Sequence, residues 1–484
     1  MILLLPWLPL AGALALLLTR AGNTRLLKLI TLAVCTVCSA IAFYHWVLFD
    51  PLKTDYQFVR RFFWIPFLGV YYQVGFDGIN LTLTLLHALV SLAGAFVACQ
   101  TKERLKEYLC YYLVLVAGIY GVFSSLDLFF LYLFYELTLI PLFPMIGIWG
   151  SKNRSYGAMK LTLYITAGAV LALFGLLLLY REFGFESFDL ITLRQSLAAK
   201  PLPGYFQKLV APFFLIGFGV IASLWPLHSW SPIGYAAAPT SVSMLHAGVL
   251  KKMGPYLMIR IAVDLLPKGV HFWAAPLAVL AGIGILYAGL AAIWQKDLKF
   301  MVGFSSVSHM GYVLLGIASM NPIALSGAVF LMFSHGVMAA CAFACIGFLY
   351  EQTHVRGLTD FGGLSKKVPF IATSFILASL ASLGLPGFSN FVSELLIFIG
   401  AWKAFAPIVV AAVAGILITA VYLLRAVQQV CYGPESHTWA ELRDARGMEE
   451  RFPFLLLLGA LLLFGFWPQG LLQIIQPAVA GVLP

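Results

Sequence analysis

The stretch MLHAGVLKKMGPYLMIR, residues 244–260, determines how the rest of the chain is interpreted. Both of its ends are apolar, as in a helix inside a bilayer, yet it carries His246, Lys251 and Lys252 near its middle. A charged side chain at the centre of a membrane helix costs about 2.5–3.5 kcal/mol on insertion scales. Two adjacent lysines at this depth therefore indicate a function and not an accident of packing.

The composition predicts an integral membrane protein. Of the 484 residues, 61% are hydrophobic and 10% charged, with a mean hydropathy of +0.93, outside the range of soluble domains. The net charge of +10 comes from basic residues in small groups between apolar runs, which is typical of topology signals and not of a nucleic-acid-binding patch. The seven cysteines lack the spacing of a metal site and are predicted to be small buried apolar residues.

About 14 apolar runs are long enough to cross a hydrocarbon core of about 30 Å as helices. Their approximate limits are 2–19, 26–49, 77–98, 107–124, 126–149, 158–180, 205–227, 236–262, 271–294, 298–317, 322–349, 368–398, 404–430 and 453–474. None alternates in polarity at every second residue, as the strands of a membrane β-barrel do. The sequence therefore predicts an all-α polytopic membrane protein.

Lysine and arginine are unequally distributed between the loops. The odd-numbered connections, after spans 1, 3, 5 and so on, hold about twice as many as the even-numbered ones, and cytoplasmic loops carry such an excess. The odd loops are therefore predicted to be cytoplasmic, with both termini on the outer, periplasmic side.

Two predicted spans carry proline and glycine at their centres, in SLWPLHSWSPIGY (223–235) and SLGLPGFSNF (382–391). Such breaks free backbone groups that protein or water must satisfy, so broken membrane helices line polar cavities. The breaks fall in spans 7 and 12, as expected of two inverted five-helix repeats. The predicted divisions are spans 1–3 (1–106), the first repeat (107–262), the second repeat (271–430), and a C-terminal loop with the last span (431–484).

A series of ionisable residues lies inside the predicted spans. Its members are Asp127, Glu136, Lys160, His228, His246, Lys251, Lys252, His309, His335 and Glu394. No nucleotide-phosphate loop, dinucleotide fingerprint, haem site or iron–sulfur spacing accompanies them. Carboxylates, lysines and histidines in mid-membrane without a cofactor site are typical of a proton or cation relay. The alternative is that individual histidines only form hydrogen bonds between packed helices.

Several motifs resemble the antiporter-like membrane subunits of respiratory complex I, specifically the M type. They include LYLFYELTLIPLFPMIGIWG, SMLHAGVLKKMGPYLMIR, DLKFMVGFSSVSHMGYVLLGI, FSHGVMAACAFACIGFLYEQTH and ASLGLPGFSNFVSELLIFIG. The resemblance extends from about residue 77 to about residue 466. The glutamate in FVSELL, where the N type and the Mrp D type usually have lysine, favours the M type.

The resemblance implies a role for each relay residue. Glu136 resembles the span-5 glutamate whose charge state couples to neighbouring subunits, and Lys252 resembles the central lysine of span 8 that holds and passes the proton. His309 and His335 resemble the relay on spans 10 and 11, and Glu394 resembles the terminal group that leads to the exit side.

Span 7 departs from the family pattern. The family usually reads FAVKVPLWPFHTWLPDAH, with a lysine that pairs with the span-5 glutamate, whereas this chain reads FGVIASLWPLHSWSPIGY, with Ile221 at the lysine position. We expect Lys251, or failing that His246, to face Glu136 in place of the missing lysine, with His228 as a further auxiliary relay group. The alternative is that Lys251 extends along its helix or contacts a lipid or a neighbouring subunit. Residues 246 and 251 are about 140° apart around a regular α-helix, so at most one of them is expected to face span 5.

The resemblance implies a proton-translocating membrane subunit of a complex I-type oxidoreductase that transfers electrons from NADH, or a related donor, to quinone. The chain is then a translocase subunit without a redox centre or metal of its own, and NADH, FMN, iron–sulfur clusters and quinone belong to partner subunits. The expected partners are neighbouring antiporter-like subunits and the lipid bilayer, in the bacterial inner membrane. Two alternatives stay open: a subunit of a membrane-bound hydrogenase or Mrp-like cation/proton antiporter, and a non-conducting structural member of complex I.

Overall fold

The computed structural model describes residues 1–53, 55–184, 187–434, 439 and 441–483, and most of them are helical. The N-terminal part comprises α1 (Leu4–Leu18), α2 (Thr24–Leu48), strands β1 (Gln57–Ile65) and β2 (Val70–Phe76), and α3 (Gly78–Ala98). The next part comprises α4 (Leu105–Ser124), α5 (Leu128–Trp149), α6 (Arg154–Glu182), α7 (Leu190–Ala199), α8 (Gly204–Ala222), α9 (Trp230–Ala237), α10 (Thr240–Leu245) and α11 (Lys251–Leu257). The remainder comprises α12 (Pro267–Ile293), α13 (Leu298–Ala318), α14 (Pro322–Thr353), α15 (Leu364–Lys367), α16 (Pro369–Ser382), α17 (Ser389–Cys431), α18 (Met448–Phe466) and α19 (Gln469–Ala480).

Within the described ranges, ten helices are long and apolar enough to cross a bilayer, and α18 with α19, bent by 71°, would be an eleventh span. The helices α1 and α16 are apolar but shorter. The prediction of a polytopic helical membrane protein is confirmed, whereas the number of about 14 spans stays a prediction. An antiparallel hairpin of β1 and β2 adds to the helices. Its turn depends on Gly69, which has a φ of 64°, a conformation that glycine adopts without steric cost.

Both predicted helix breaks are present. Helix α8 ends at Ala222, and α9 begins only at Trp230, so these two helices correspond to the broken span 7. Helix α16 ends at Ser382, and α17 begins at Ser389. Between them Gly384 and Gly387 have φ values of 68° and 101°. Because glycine populates positive φ readily, the motif SLGLPG directly encodes the break in span 12.

The segment with the adjacent lysines, predicted span 8, is an irregular helix. Two π-helical turns, His246–Leu250 and Met258–Val263, flank α11. Residues 240–263 are all buried, in contact with α3, α8, α13 and α14. A Cβ atom on Gly254 would lie 2.6 Å from the carbonyl oxygen of Phe218, so this glycine permits close contact with α8. Single π turns inside α-helices are frequent at functional sites.

Two helix caps lie in corresponding places of the predicted repeats. Asp127 caps α5 by accepting from the Phe129 and Phe130 N–H groups, and Asp297 caps α13 in the same way. Each aspartate also forms a β-bridge with a later loop, Asp127 with Asp189 and Asp297 with Gly357. Asp127 is thus a capping residue at a helix end and not a charge inside a span, which corrects the prediction from sequence. The paired caps favour the repeats at 107–262 and 271–430, which stay a prediction.

Candidate functional site

Lys251 and Lys252 are both fully buried, and their ammonium groups have different partners. The Nζ of Lys251 donates to the hydroxyl oxygens of Ser231 at 3.2 Å and Ser306 at 3.3 Å. The Nζ of Lys252 donates to the carbonyl oxygen of Ala247 on its own helix. Neither lysine forms an ion pair within the part of the chain that the structure describes. Because an uncompensated buried ammonium is costly, two of them side by side favour a functional role.

The π turn before Lys251 brings His246 and Lys251 to the same aromatic ring. The ring of Tyr235 on α9 lies 5.3 Å from the His246 ring and 5.6 Å from the Lys251 Nζ. The angle of 140° expected for a regular α-helix does not apply here, because the i→i+5 turn changes the register of the helix. Both side chains therefore face the second half of the broken span 7.

Glu136 lies apart from these two residues. It is half-buried on α5 and lines an apolar cavity of about 450 Å³, together with residues of α6 and the exposed Leu133 and Leu177. The prediction that Lys251 or His246 faces Glu136 is wrong, because both side chains lie against α9 instead. Glu136 thus faces a cavity at the surface of the chain.

Ile221 makes the α8 side of the site apolar at the position where the resemblance led us to expect lysine. The Ile221 side chain is buried, and a Cβ atom added to Gly254 of α11 would lie 3.2 Å from the Ile221 Cβ. Lys251 precedes Gly254 by three residues, which is less than one helical turn. Lys251 thus lies within about one turn of the residue that contacts Ile221.

His309, His335 and Glu394 form a second buried cluster. The two histidine rings lie 5.0 Å apart, and the His309 Nε2 is 3.8 Å from a carboxylate oxygen of Glu394. The His309 ring nitrogens also have two hydrogen-bond partners, the carbonyl oxygens of Ser305 at 2.8 Å from Nδ1 and of Ser382 at 3.1 Å from Nε2. Only a protonated imidazole has an N–H on both nitrogens, so this pocket can hold His309 in either protonation state with at least one bond retained. Neither ring nitrogen of His335 has a hydrogen-bond partner among the described residues.

The break in span 12 makes room for the carboxylate of this cluster. A Cβ atom on Gly384 would lie 2.7 Å from the Glu394 Oε2. The absence of a side chain at Gly384 therefore leaves room for the Glu394 carboxylate. At Gly387, by contrast, an added Cβ would meet only Phe466 at 3.5 Å, an ordinary contact.

We therefore expect Gly384→Ala to impair proton translocation by displacing the Glu394 carboxylate from His309. Left-handed backbone costs a non-glycine residue about 1–2 kcal/mol, so some loss of stability is also expected. Gly387→Ala is the matched control, because it introduces the same kind of backbone strain without touching Glu394. Equal translocation in the two variants, measured as protons per electron in the assembled complex, would contradict this steric reading.

His228 lies in the break of span 7. Its ring packs against Tyr287 at 5.1 Å and Phe304 at 6.4 Å. Lys160 is half-buried on α6. Its charge thus lies at the edge of the site and not at its centre.

The sequence analysis overlooked a buried ion pair at the end of predicted span 8. Arg260 is fully buried and donates to Asp77, the residue that caps α3 through the Ile79 and Asn80 N–H groups. The apolar context of Arg260 in MIRIAVD was a signal for it. Because this cation has its own carboxylate, we assign it to holding α3 against the irregular helix.

A helical membrane fold with two interrupted helices around buried lysines, histidines and a glutamate defines the class of cation- or proton-translocating membrane proteins. The chain belongs to the family described as NADH:quinone oxidoreductase/Mrp antiporter, transmembrane, which it matches over residues 125–419. The resemblance predicted from its motifs is thus confirmed.

Relatives resemble the chain along its full length. It is 34% identical to NADH-quinone oxidoreductase subunit M of Rickettsia prowazekii (strain Madrid E), over 99% of this chain and 97% of that protein. It is also 34% identical to subunit M of Rhodobacter capsulatus, over 99% and 95% of the two chains. A chain of respiratory complex I from Thermus thermophilus is similar with a TM-score of 0.89 and 27% identity, covering 100% of both chains. A chain of the Mrp complex from Dietzia sp. DQ12-45-1b, at 22% identity and a TM-score of 0.88 over 100% of this chain and 97% of that one, shares the fold.

Proposed function

We propose that this chain is the proton-translocating, antiporter-like M-type membrane subunit of an NADH:quinone oxidoreductase. The observation that carries the proposal is the presence of two buried lysines that have no ion-pair partner among the described residues, together with a buried histidine–glutamate cluster, in a bundle with two broken helices. The relatives named as subunit M, similar along nearly all of the chain, support the same assignment.

The proposed proton path runs from Lys252 through His335 and His309 to Glu394. Lys252 holds the proton in the middle of this path, because no carboxylate among the described residues forms an ion pair with its ammonium group. The two histidines, 5.0 Å apart, pass it on, and Glu394 receives it from His309 at 3.8 Å. Lys251, His246 and His228 are proposed to supply Lys252 from the other half of the site.

The driving energy is proposed to come from partner subunits that bind NADH, FMN, iron–sulfur clusters and quinone. No group of three or more histidine, cysteine, aspartate or glutamate side chains suited to a metal ion is found among the described residues. Glu136, which lines the surface cavity on α5 and α6, is proposed to sense charge on a neighbouring antiporter-like subunit. A change of charge at Glu136 shifts the pKa values of ionisable groups close to it.

Purification of the intact assembly tests the assignment against its rivals. The chain, isolated from its native membrane in mild detergent, is expected to co-purify with NADH:quinone oxidoreductase activity and the subunits that bind its cofactors. Co-purification with hydrogenase or with Mrp subunits alone would overturn the assignment. A purely structural role would leave the protons transferred per electron unchanged when the buried lysines are replaced.

The charge distribution of the loops predicts the orientation. We expect the loops at residues 151–156 and 356–367 to face the cytoplasm and both termini to face the periplasm, since basic residues concentrate in the odd-numbered loops. Single cysteines placed in these loops are expected to react with a membrane-impermeant thiol reagent in inside-out vesicles but not in right-side-out vesicles. The opposite labelling pattern would invert the topology and the direction of the proposed path.

A further inference from the structure

Four polar residues follow one another at intervals of four along the second half of the irregular helix. Lys252 is followed by Tyr256, Arg260 and Asp264. The first three are fully buried, and the Asp264 side chain is 5% exposed. Residues four apart lie on one face of a helix. This polar row therefore leads from the central lysine to the end of predicted span 8, which the distribution of basic residues predicts to lie on the periplasmic side.

Two arginine–aspartate pairs hold the outer end of the polar row. Arg194 of α7 donates from its Nε to the Asp264 carboxylate at 2.6 Å, and its own side chain is 26% exposed. Arg260 donates to Asp77 at the start of α3. The ring of Tyr56 lies against both cations, 5.2 Å from the guanidinium carbon of Arg194 and 5.6 Å from that of Arg260. Segments from three even-numbered loops thus meet at this end of the helix.

Several polar atoms along the row have no hydrogen-bond partner among the described residues. They are the hydroxyls of Tyr56 and Tyr256 and the Nε and Nη1 atoms of Arg260. Buried polar atoms of this kind are normally satisfied by water. Tyr256 is four residues from Lys252, about 6 Å along a helix axis. Water in the row would therefore carry protons from the periplasm back to the central lysine unless a group in the row stops them.

The Arg260 guanidinium has the properties needed to stop them. A guanidinium keeps its proton in proteins, so it does not relay protons. Its fixed positive charge repels a second positive charge, which is how an arginine excludes protons from water-filled pores. A hydrated proton also needs acceptors, whereas the unpartnered Arg260 atoms are donors. The guanidinium carbon lies 5.4 Å from the Tyr256 ring, directly on the row.

We propose that Arg260, held in place by Asp77, is a barrier that keeps periplasmic protons from returning to Lys252 along this row. The inference rests on the proposed function and adds how the outer approach to the central lysine is closed. It also gives the buried arginine a role beyond packing, because apolar side chains of similar volume often stabilise a protein interior as well as a buried ion pair does.

Passive proton entry into liposomes tests the barrier in the assembled complex, without NADH or quinone. A pH gradient is imposed, K⁺ with valinomycin clamps the potential, and an internal pH-sensitive dye records proton uptake. The double variant Arg260→Met with Asp77→Asn removes the cation without leaving a buried carboxylate, and asparagine can still cap α3. Uptake is expected to rise about tenfold above the wild-type level, since a unit charge about 12 Å from Lys252, at an effective dielectric constant of about 20, changes the energy of a proton by about that factor.

Two controls keep a cation in the row. Arg260→Lys and Asp77→Asn alone disturb the same ion pair but retain the positive charge, and both should show wild-type uptake. Addition of Lys252→Met to the double variant should remove the extra uptake, because the leak reaches the proposed path through the central lysine.

Wild-type uptake in the assembled double variant would overturn the barrier. An equal rise in either control would also overturn it, because the leak would then come from disturbed packing, and so would a leak that Lys252→Met does not remove. If the double variant does not assemble, Arg260→Gln with Asp77→Asn, whose amides can bond to each other, is measured by the same criteria. Normal translocation during turnover in Lys252→Met would instead overturn the proposed function, so the two failures are distinguishable.

Discussion

Replacement of Lys252 by methionine is expected to stop proton translocation through this chain while the complex still assembles. Even a charged side chain at a helix centre costs about 2.5–3.5 kcal/mol on insertion scales, and a proton without a carrier costs more, so this range is a lower limit. Because each 1.36 kcal/mol corresponds to a factor of ten in rate, the flux through this chain is expected to fall at least about 10²-fold. Methionine matches the lysine stem in length and apolar character, so the packing of α11 is retained.

The measurement is the number of protons translocated per electron by the purified complex in liposomes, with subunit composition as the assembly check. Lys403→Met is the control, because Lys403 is exposed on α17 and its loss should change neither quantity. Unchanged translocation in an assembled Lys252→Met complex would remove Lys252 from the path.

The fold features that were predictable from sequence are those that short stretches encode. Apolar runs of span length predict helices because the bilayer has a fixed thickness, and the motif SLGLPG predicts a break because glycine takes positive φ, as Gly384 does. The hairpin of β1 and β2 was not predicted, because a rule based on apolar runs recognises only segments that cross the membrane.

The residue types of the site were also predictable, because an ionisable side chain in an apolar run is costly wherever it points. The directions in which these side chains point were not predictable. Helix α5 is apolar on all sides apart from Glu136, so its pattern does not show which face is turned inward. The structure turns Glu136 to a surface cavity, and no cationic partner for it is found among the described residues.

The remaining differences between the predicted and the observed site come from a local irregularity and from contacts between distant parts of the chain. The π turn at His246–Leu250 changes which residues share a face of the helix, and hydrophobic periodicity does not reveal such a turn. The ion pair of Arg260 with Asp77 joins residues 183 positions apart. Lys299 lies near a helix end, where a lysine usually reads as a topology signal, yet the loops around it bury it.

Lys251→Leu is expected to reduce proton translocation about as strongly as Lys252→Met, on the order of 10²-fold by the same cost of an unassisted charge. Leucine removes the ammonium that Ser231 and Ser306 accept from. The path then lacks the group between His246 and Lys252, although the central lysine is intact.

The double variant Ile221→Lys with Lys251→Leu tests why the chain has two adjacent lysines. Ile221 packs against Gly254, within about one turn of Lys251, so a lysine at position 221 returns an amine to the same part of the interior from α8. We expect this double variant to recover most of the lost translocation, measured as protons per electron at equal assembly. Ile221→Leu with Lys251→Leu is the matched control and should stay impaired. Three outcomes separate the explanations. If Lys251→Leu alone translocates protons normally, Lys251 is a packing residue. If the control double variant regains as much translocation as the lysine variant, the recovery comes from packing and not from the amine. A specific rescue by lysine would show that this chain moved one ionisable group of the path from α8 to the facing helix.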